Sequence, residues 1–143
     1  MTFSISIEDT TKAVNALRGF VPSHQLNLIG SLCRGEEGDF FRGKLIEYAE
    51  RVALMPKTYE QDGKGDDAVA YLHYFSGGAD WWITEKDMED EQRQAFGLAD
   101  LGYGGEIGYI SLVELCTSEA VELDLHWTRA TLGEIKARKP KAA

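Results

Sequence analysis

Apolar residues recur with a helical period over the first third of the chain. In IEDTTKAVNALRGF (7–20), Ala13, Leu17 and Phe20 lie on one face, and Gly19 supplies a stop. Pro22 and Ser23 interrupt the pattern, with Ser23 read as an N-cap, and Leu28, Ile29 and Leu32 mark a second helix ending near Gly35. The third helical pattern is the clearest. In EEGDFFRGKLIEYAERVALMP (36–56), Phe41, Leu45, Tyr48 and Val52 form a stripe, the charged residues lie mostly off it, and Pro56 ends it.

The period then changes. KTYEQDGKGDD (57–67) is a polar loop. AVAYLHYF (68–75) predicts a strand buried on both faces, and SGGAD turns into a second strand, WWITEKD (81–87). QAFGLADL (94–101) and EIGYI (106–110) follow as strands. In VELDLHW (121–127), Val121, Leu123, Leu125 and Trp127 alternate with Glu122, Asp124 and His126, which predicts a strand in a sheet with one wet face. Ser111-Leu112-Val113-Glu114 and Thr131-Leu132-Gly133-Glu134 both fit a capping box, so a short helix is expected after each. The links between strands are too short for parallel crossovers. The predicted fold is therefore α+β, with N-terminal helices packed on a mainly antiparallel sheet of about five strands. One domain is expected over 1–143: an N-terminal arm and helix (1–22), a helical part (23–56), an antiparallel sheet (68–127), and a short helix with a basic tail (128–143).

The glycine-rich stretch GLADLGYGGEIGYISL (97–112) poses the choice between a phosphate-binding loop and a hairpin. No Lys-Ser/Thr pair follows the glycines, as a P-loop requires. Ile107 stands where a dinucleotide fingerprint needs its third glycine, and the residues that follow are strand-like. Asp100 and Glu106 would also repel phosphate. Tyr103-Gly104-Gly105 fits a hairpin turn better, and Gly97 and Gly108 within strands suggest bulges or close packing.

The chain has 143 residues and a net charge of −9. The acid excess is concentrated between residues 60 and 127, whereas 128–143 is basic. Direct nucleic-acid binding by the acidic body would work against this field. Neither a secretory signal nor a membrane span is evident, so a cytoplasmic location is expected and membrane association is not. Cys33 and Cys116 have no CxxC partner and are read as reduced, buried thiols.

Four stretches carry a resemblance. AFGLADLGYGGEIGYISLVEL, LHYFSGGADWWITEKD before it and ELDLHWTRATLGEI after it resemble the body of an uncharacterised bacterial family, domain-of-unknown-function family 2958. SLCRGEEGDFFRGKLIEYAERVALMPKTYEQDG resembles the N-terminal part of its longer members, so the likeness spans about residues 26–136. It implies a setting on plasmids, phages or integrative elements, sometimes beside DNA-processing domains. The family offers no established activity, so no catalytic residue carries over.

The candidate chemistry is sparse. His24, His73 and His126 form no H-x-x-x-H pair, so a metal site would have to be assembled from His73, His126 and distant carboxylates. DGKGDD (62–67) superficially resembles a calcium loop but lacks its ligand pattern. No catalytic residue and no cofactor is assigned. The most unusual feature is acidity, at Asp66, Asp67, Glu85, Asp87, Glu89, Asp90 and Glu91, beside adjacent tryptophans of which Trp82 is the expected exposed anchor. The leading expectation is an accessory protein of a mobile element that binds a basic or DNA-binding protein through these residues. Interference with a DNA-acting defence or processing enzyme is its specific form. The alternatives are a small hydrolase or metal-dependent enzyme using His73, His126 and nearby carboxylates, and a structural oligomeric subunit.

Overall fold

The computed structural model describes residues 6–89 and 91–138. Asp90, most of the N-terminal arm and the end of the basic tail lie outside them. The described chain runs α1 (Ile7–Leu17), α2 (Ser23–Leu32), α3 (Gly38–Leu54), a 3-10 turn (Gly65–Asp67), β1 (Val69–Ala70), β2 (Leu72–Ser76), β3 (Ala79–Glu85), β4 (Gln94–Asp100), β5 (Gly105–Ser111), α4 (Leu112–Thr117), β6 (Glu122–Leu123), β7 (Ala130–Thr131) and α5 (Leu132–Arg138). The main sheet is antiparallel, ordered β5-β4-β3-β2-β6, and β1 pairs with β7 in a separate two-stranded ribbon. The fold is α+β, as the change of period predicts.

The first sheet face packs on the helices. Leu17, Leu45, Tyr48 and Val52 meet Leu72, Tyr74, Ile83 and Ala95 in one continuous core. Fully burying an aliphatic side chain of this size contributes about 1.5–3 kcal/mol. Tyr74 is fully buried, and its hydroxyl donates to the Phe20 carbonyl. The second face, expected to be wet, is largely covered. Trp82 and Leu98 pack beneath Ala70, Ala130, Leu132 and Ile135, contributed by the β1–β7 ribbon and α5.

Both capping boxes form helix starts. Ser111 Oγ accepts the Glu114 N–H at 3.1 Å. At α5 the exchange is reciprocal: Thr131 Oγ1 accepts the Glu134 N–H at 3.2 Å, while Glu134 Oε1 accepts the Thr131 N–H at 3.2 Å. The glycine-rich stretch is the β4–β5 hairpin, with Asp100 paired to Gly105. The positive φ values fall on Gly102 and Gly104 rather than Gly105, and the Asp100 carboxylate accepts the Gly102 N–H at 2.8 Å. Gly97 is required by close packing, since a Cβ there would collide with the Trp82 carbonyl oxygen.

Three local expectations are corrected. Ser23 is the first helical residue and Pro22 the N-cap, with no side-chain cap bond. The strand expected over 68–75 divides at Tyr71, because β1 leaves the main sheet to pair with β7. The strand expected over 121–127 shrinks to Glu122–Leu123. Asp124 turns the chain there: its Oδ1 accepts the His126 N–H at 2.9 Å, the side-chain-closed turn to which Asp is suited. Tyr48 then holds the turned segment, donating to the Asp124 carbonyl at 2.8 Å and accepting the Trp127 N–H at 3.2 Å.

Candidate functional site

Two ionisable clusters lie on the second face of the sheet. The first is centred on His73 of β2. Its Nε2 is 2.8 Å from Asp80 Oδ1 and its Nδ1 is 3.0 Å from Asp124 Oδ2. Each ring nitrogen thus faces one carboxylate oxygen. The ring stacks on Trp82 at 5.3 Å between centroids and meets Trp127 at the same separation, tilted by 46°. The turn that shortens β6 is what delivers Asp124 to His73. His126 is exposed and joins the cluster only through its backbone N–H to Asp124. The structure therefore brings His73 to two carboxylates but does not use the His126 imidazole. Among the described residues no group of three or more His, Cys, Asp or Glu is placed to hold a metal ion.

The second cluster is built around Glu85, at the end of β3. Regular alternation from Trp82 would point Glu85 at the helices. Instead a bulge falls between Ile83 and Glu85, so that Ile83 opposes Gly97 and Glu85 opposes Phe96. The extra residue, Thr84, returns Glu85 to the second face. Glu85 is buried, at 3% exposure, and its Oε2 accepts the Gln61 N–H at 3.1 Å. Gln61 is buried as well and works as a backbone clamp. Its Nε2 donates to the carbonyls of Val69 and Thr84, at 2.9 and 2.7 Å, and its Oε1 accepts the Val69 N–H at 2.7 Å. These bonds fix the 57–65 loop over the sheet. Beneath it lies a cleft of about 430 Å³, with Phe96, Ile107 and Leu132 as apolar wall and Glu85, Thr84 and Asp62 as polar lining. Tyr59 stands at the mouth with φ 79°, a left-handed conformation uncommon for a bulky residue. Its hydroxyl lies 2.9 Å from that of exposed Tyr109, and this hydrogen bond raises the Tyr109 pKa.

The residues of the acidic surface have different fates. Asp66 is exposed and pairs with Lys136 at 2.7 Å; Asp67 is exposed. Glu89 and Glu91 are exposed. Asp87 is a structural organiser: its carboxylate accepts the N–H groups of Glu89, Arg93 and Gln94, each at 3.1 Å. Partial burial pushes its carboxyl up, but backbone N–H donors together outweigh this and hold it below the usual range. Trp82 is 5% exposed, which corrects its expected role as an exposed anchor: the β1–β7 ribbon and α5 cover it. The exposed aromatics beside the acid are Tyr59 and Tyr109. Neither tyrosine was legible as such, because neither the left-handed loop nor the edge position of β5 leaves a periodic signal.

The two cysteines are buried and free. Burial pushes the Cys116 thiol up to about 12, and its Sγ contacts the Gly19 carbonyl at 3.3 Å. No described helix is long and apolar enough to cross a membrane.

A protein-family description, "Protein of unknown function (DUF2958)", matches residues 45–133, more than half of the chain. The chain belongs to the DUF2958 family. No curated protein and no solved structure matches it. The DUF2958 stretch begins within α3 and ends at the start of α5, so it contains His73, Asp80, Asp124 and every residue lining the Glu85 cleft. Helices α1 and α2 precede it.

Proposed function

We propose that this DUF2958 protein is a binding module that engages a basic protein partner through the face around the Glu85 cleft. The observation that carries this reading is the union of two acidic segments distant in sequence. Lys57 bridges Lys86, the Thr58 N–H donates to the Lys86 carbonyl at 2.9 Å, and the Lys86 N–H donates to the Pro56 carbonyl at 2.9 Å. These bonds set the 57–67 loop, with exposed Glu60, Asp62 and Asp67, beside the 85–92 turn, with exposed Glu89 and Glu91. Tyr59 and Tyr109 add exposed aromatic surface next to that charge. Dense negative charge steers a positive partner, and aromatic contacts supply affinity once it arrives. The specific form of the reading places the protein on a mobile element, where the partner is a DNA-acting defence or processing enzyme.

The hydrolase reading finds less support. A general base needs a ring nitrogen within reach of substrate, and both nitrogens of His73 already face carboxylates. The test is a host-lysate pull-down at low and high salt, with a variant carrying Asp62→Asn, Asp67→Asn, Glu89→Gln and Glu91→Gln as control. Basic proteins captured by the unaltered chain, released by salt and lost in the variant support the reading. Equal capture by both proteins, or no capture by either, rejects it.

A further inference from the structure

Burying a carboxylate is costly unless it is paired, and buried charges in proteins are normally compensated by an opposite charge or a metal. Glu85 is an exception within its own chain. It is buried, it accepts one backbone N–H, and among the described residues no Lys, Arg or His forms an ion pair with it. The nearest basic residue in sequence, Lys86, sends its ammonium the other way, to the Val52 carbonyl at 2.8 Å. Yet Glu85 lines a cleft that opens to solvent, and the rest of that lining includes the apolar side chains of Phe96, Ile107 and Leu132. The cleft therefore combines two carboxyl groups, the buried Glu85 and the exposed Asp62, with an apolar wall. A metal ion is a poor match, since hard cations demand several oxygen ligands and no such group converges among the described residues. A monocation on an apolar stem matches both features, because long basic side chains bury their methylenes while their charged ends seek a partner.

We propose that the Glu85 cleft receives a lysine or arginine side chain of the partner, with its charged end on the Glu85 carboxylate and its stem against Phe96, Ile107 and Leu132. This assignment rests on the basic-partner reading and narrows it to one subsite. The surrounding acids draw the partner in; Glu85 holds one residue of it in a desolvated setting, where charge-assisted hydrogen bonds are strongest. Tyr59 lines the cleft, and its hydroxyl lies 2.9 Å from that of Tyr109.

The experiment is an amide NMR titration of the full chain with n-butylammonium and n-butylguanidinium, using n-butanol and n-butylurea as neutral counterparts. Saturable shifts at Gln61, Thr84, Glu85, Phe96 and Ile107 are expected with the cations, the stronger cation identifying lysine or arginine as the preferred residue. Binding should weaken by about tenfold in Glu85→Gln, the loss expected for one hydrogen bond to a charged group. A second variant, Ile107→Ala on the half-exposed edge strand, should weaken butylammonium while leaving methylammonium unchanged, because only the stem contact is removed. Equal shifts with the neutral compounds, shifts confined to other residues, no saturable shift, or unchanged affinity in Glu85→Gln would each overturn the assignment. In the lysate assay the two readings part cleanly. If the four-residue acidic variant loses capture while Glu85→Gln retains it, the partner reading stands and the cleft assignment falls.

Discussion

His73 and Glu85 sit on the same face of the same sheet, and the chain treats them in opposite ways. His73 has a carboxylate on each ring nitrogen and aromatic rings around it. Among the described residues Glu85 has a single backbone donor, and it lines an open cleft. Engaged ring nitrogens rigidify the structure, although His73, Asp80 and Asp124 also line a second cleft of about 300 Å³. A buried charge lacking its counterion weakens the folded state and gives a ligand something to complete. Recognition sites are commonly built at such a cost in stability.

The largest effect is expected where the satisfied cluster is broken. Asp124→Ala strands one nitrogen of His73 and removes the acceptor that turns the chain toward Trp127, so chemical denaturation should show a loss of about 3 kcal/mol. A variant within a few tenths of the parent would mean that the cluster is not a stabilising element. Next comes the Gln61 clamp beside Glu85. Gln61→Ala abandons three hydrogen bonds, among them that of the part-buried Val69 N–H, and should cost about 2 kcal/mol. Hydrogen exchange should speed up in the 57–65 loop while α3 keeps its protection. Glu85→Gln is expected to move the other way. Removing an uncompensated buried charge should leave stability unchanged or raise it by up to about 1 kcal/mol, visible as a higher melting temperature. A clear loss of stability would show that the folded protein already compensates that charge.

The smallest effect concerns acid. Asp87 and Glu134 are both held below their ordinary values of 3.8 and 4.5, Asp87 by backbone donors that outweigh its burial and Glu134 chiefly by the Thr131 N–H and hydroxyl. For a depressed carboxyl the contribution to stability is complete above the ordinary value and disappears as pH falls through the folded one. Melting temperatures of the parent and Asp87→Asn should therefore differ at neutral pH and converge on acidification. A gap that widens toward low pH would contradict the sign.

Local signals in the sequence were sufficient for much of this architecture. The stripe through Leu45, Tyr48 and Val52 repeats at the helical period and needs nothing distant to define it. The two S/T-x-x-E boxes and the glycines at 102 and 104 encode bond geometry within a few residues, so helix starts and the hairpin were legible. Strand extent was not, because it depends on which edge a segment finds. The alternation in 121–127 is real in composition, yet Asp124 spends its side chain on His73 and on a turn. Trp82 reads as half of an adjacent pair with one ring exposed, and only the β1–β7 ribbon and α5 bury it.

What the sequence determined by itself was the order of helices and strands, the caps, the hairpin and an acid-rich middle, because each is a property of neighbouring residues. The tertiary structure decided which carboxylates serve as surface, which as scaffold and which as site. Glu85 is the clearest case. Its face is set by one bulged residue, its burial by a loop some twenty residues upstream held by Gln61, and its cleft by strands and a helix that follow it. Burial and pairing are relations between distant segments, and no period along the chain encodes them.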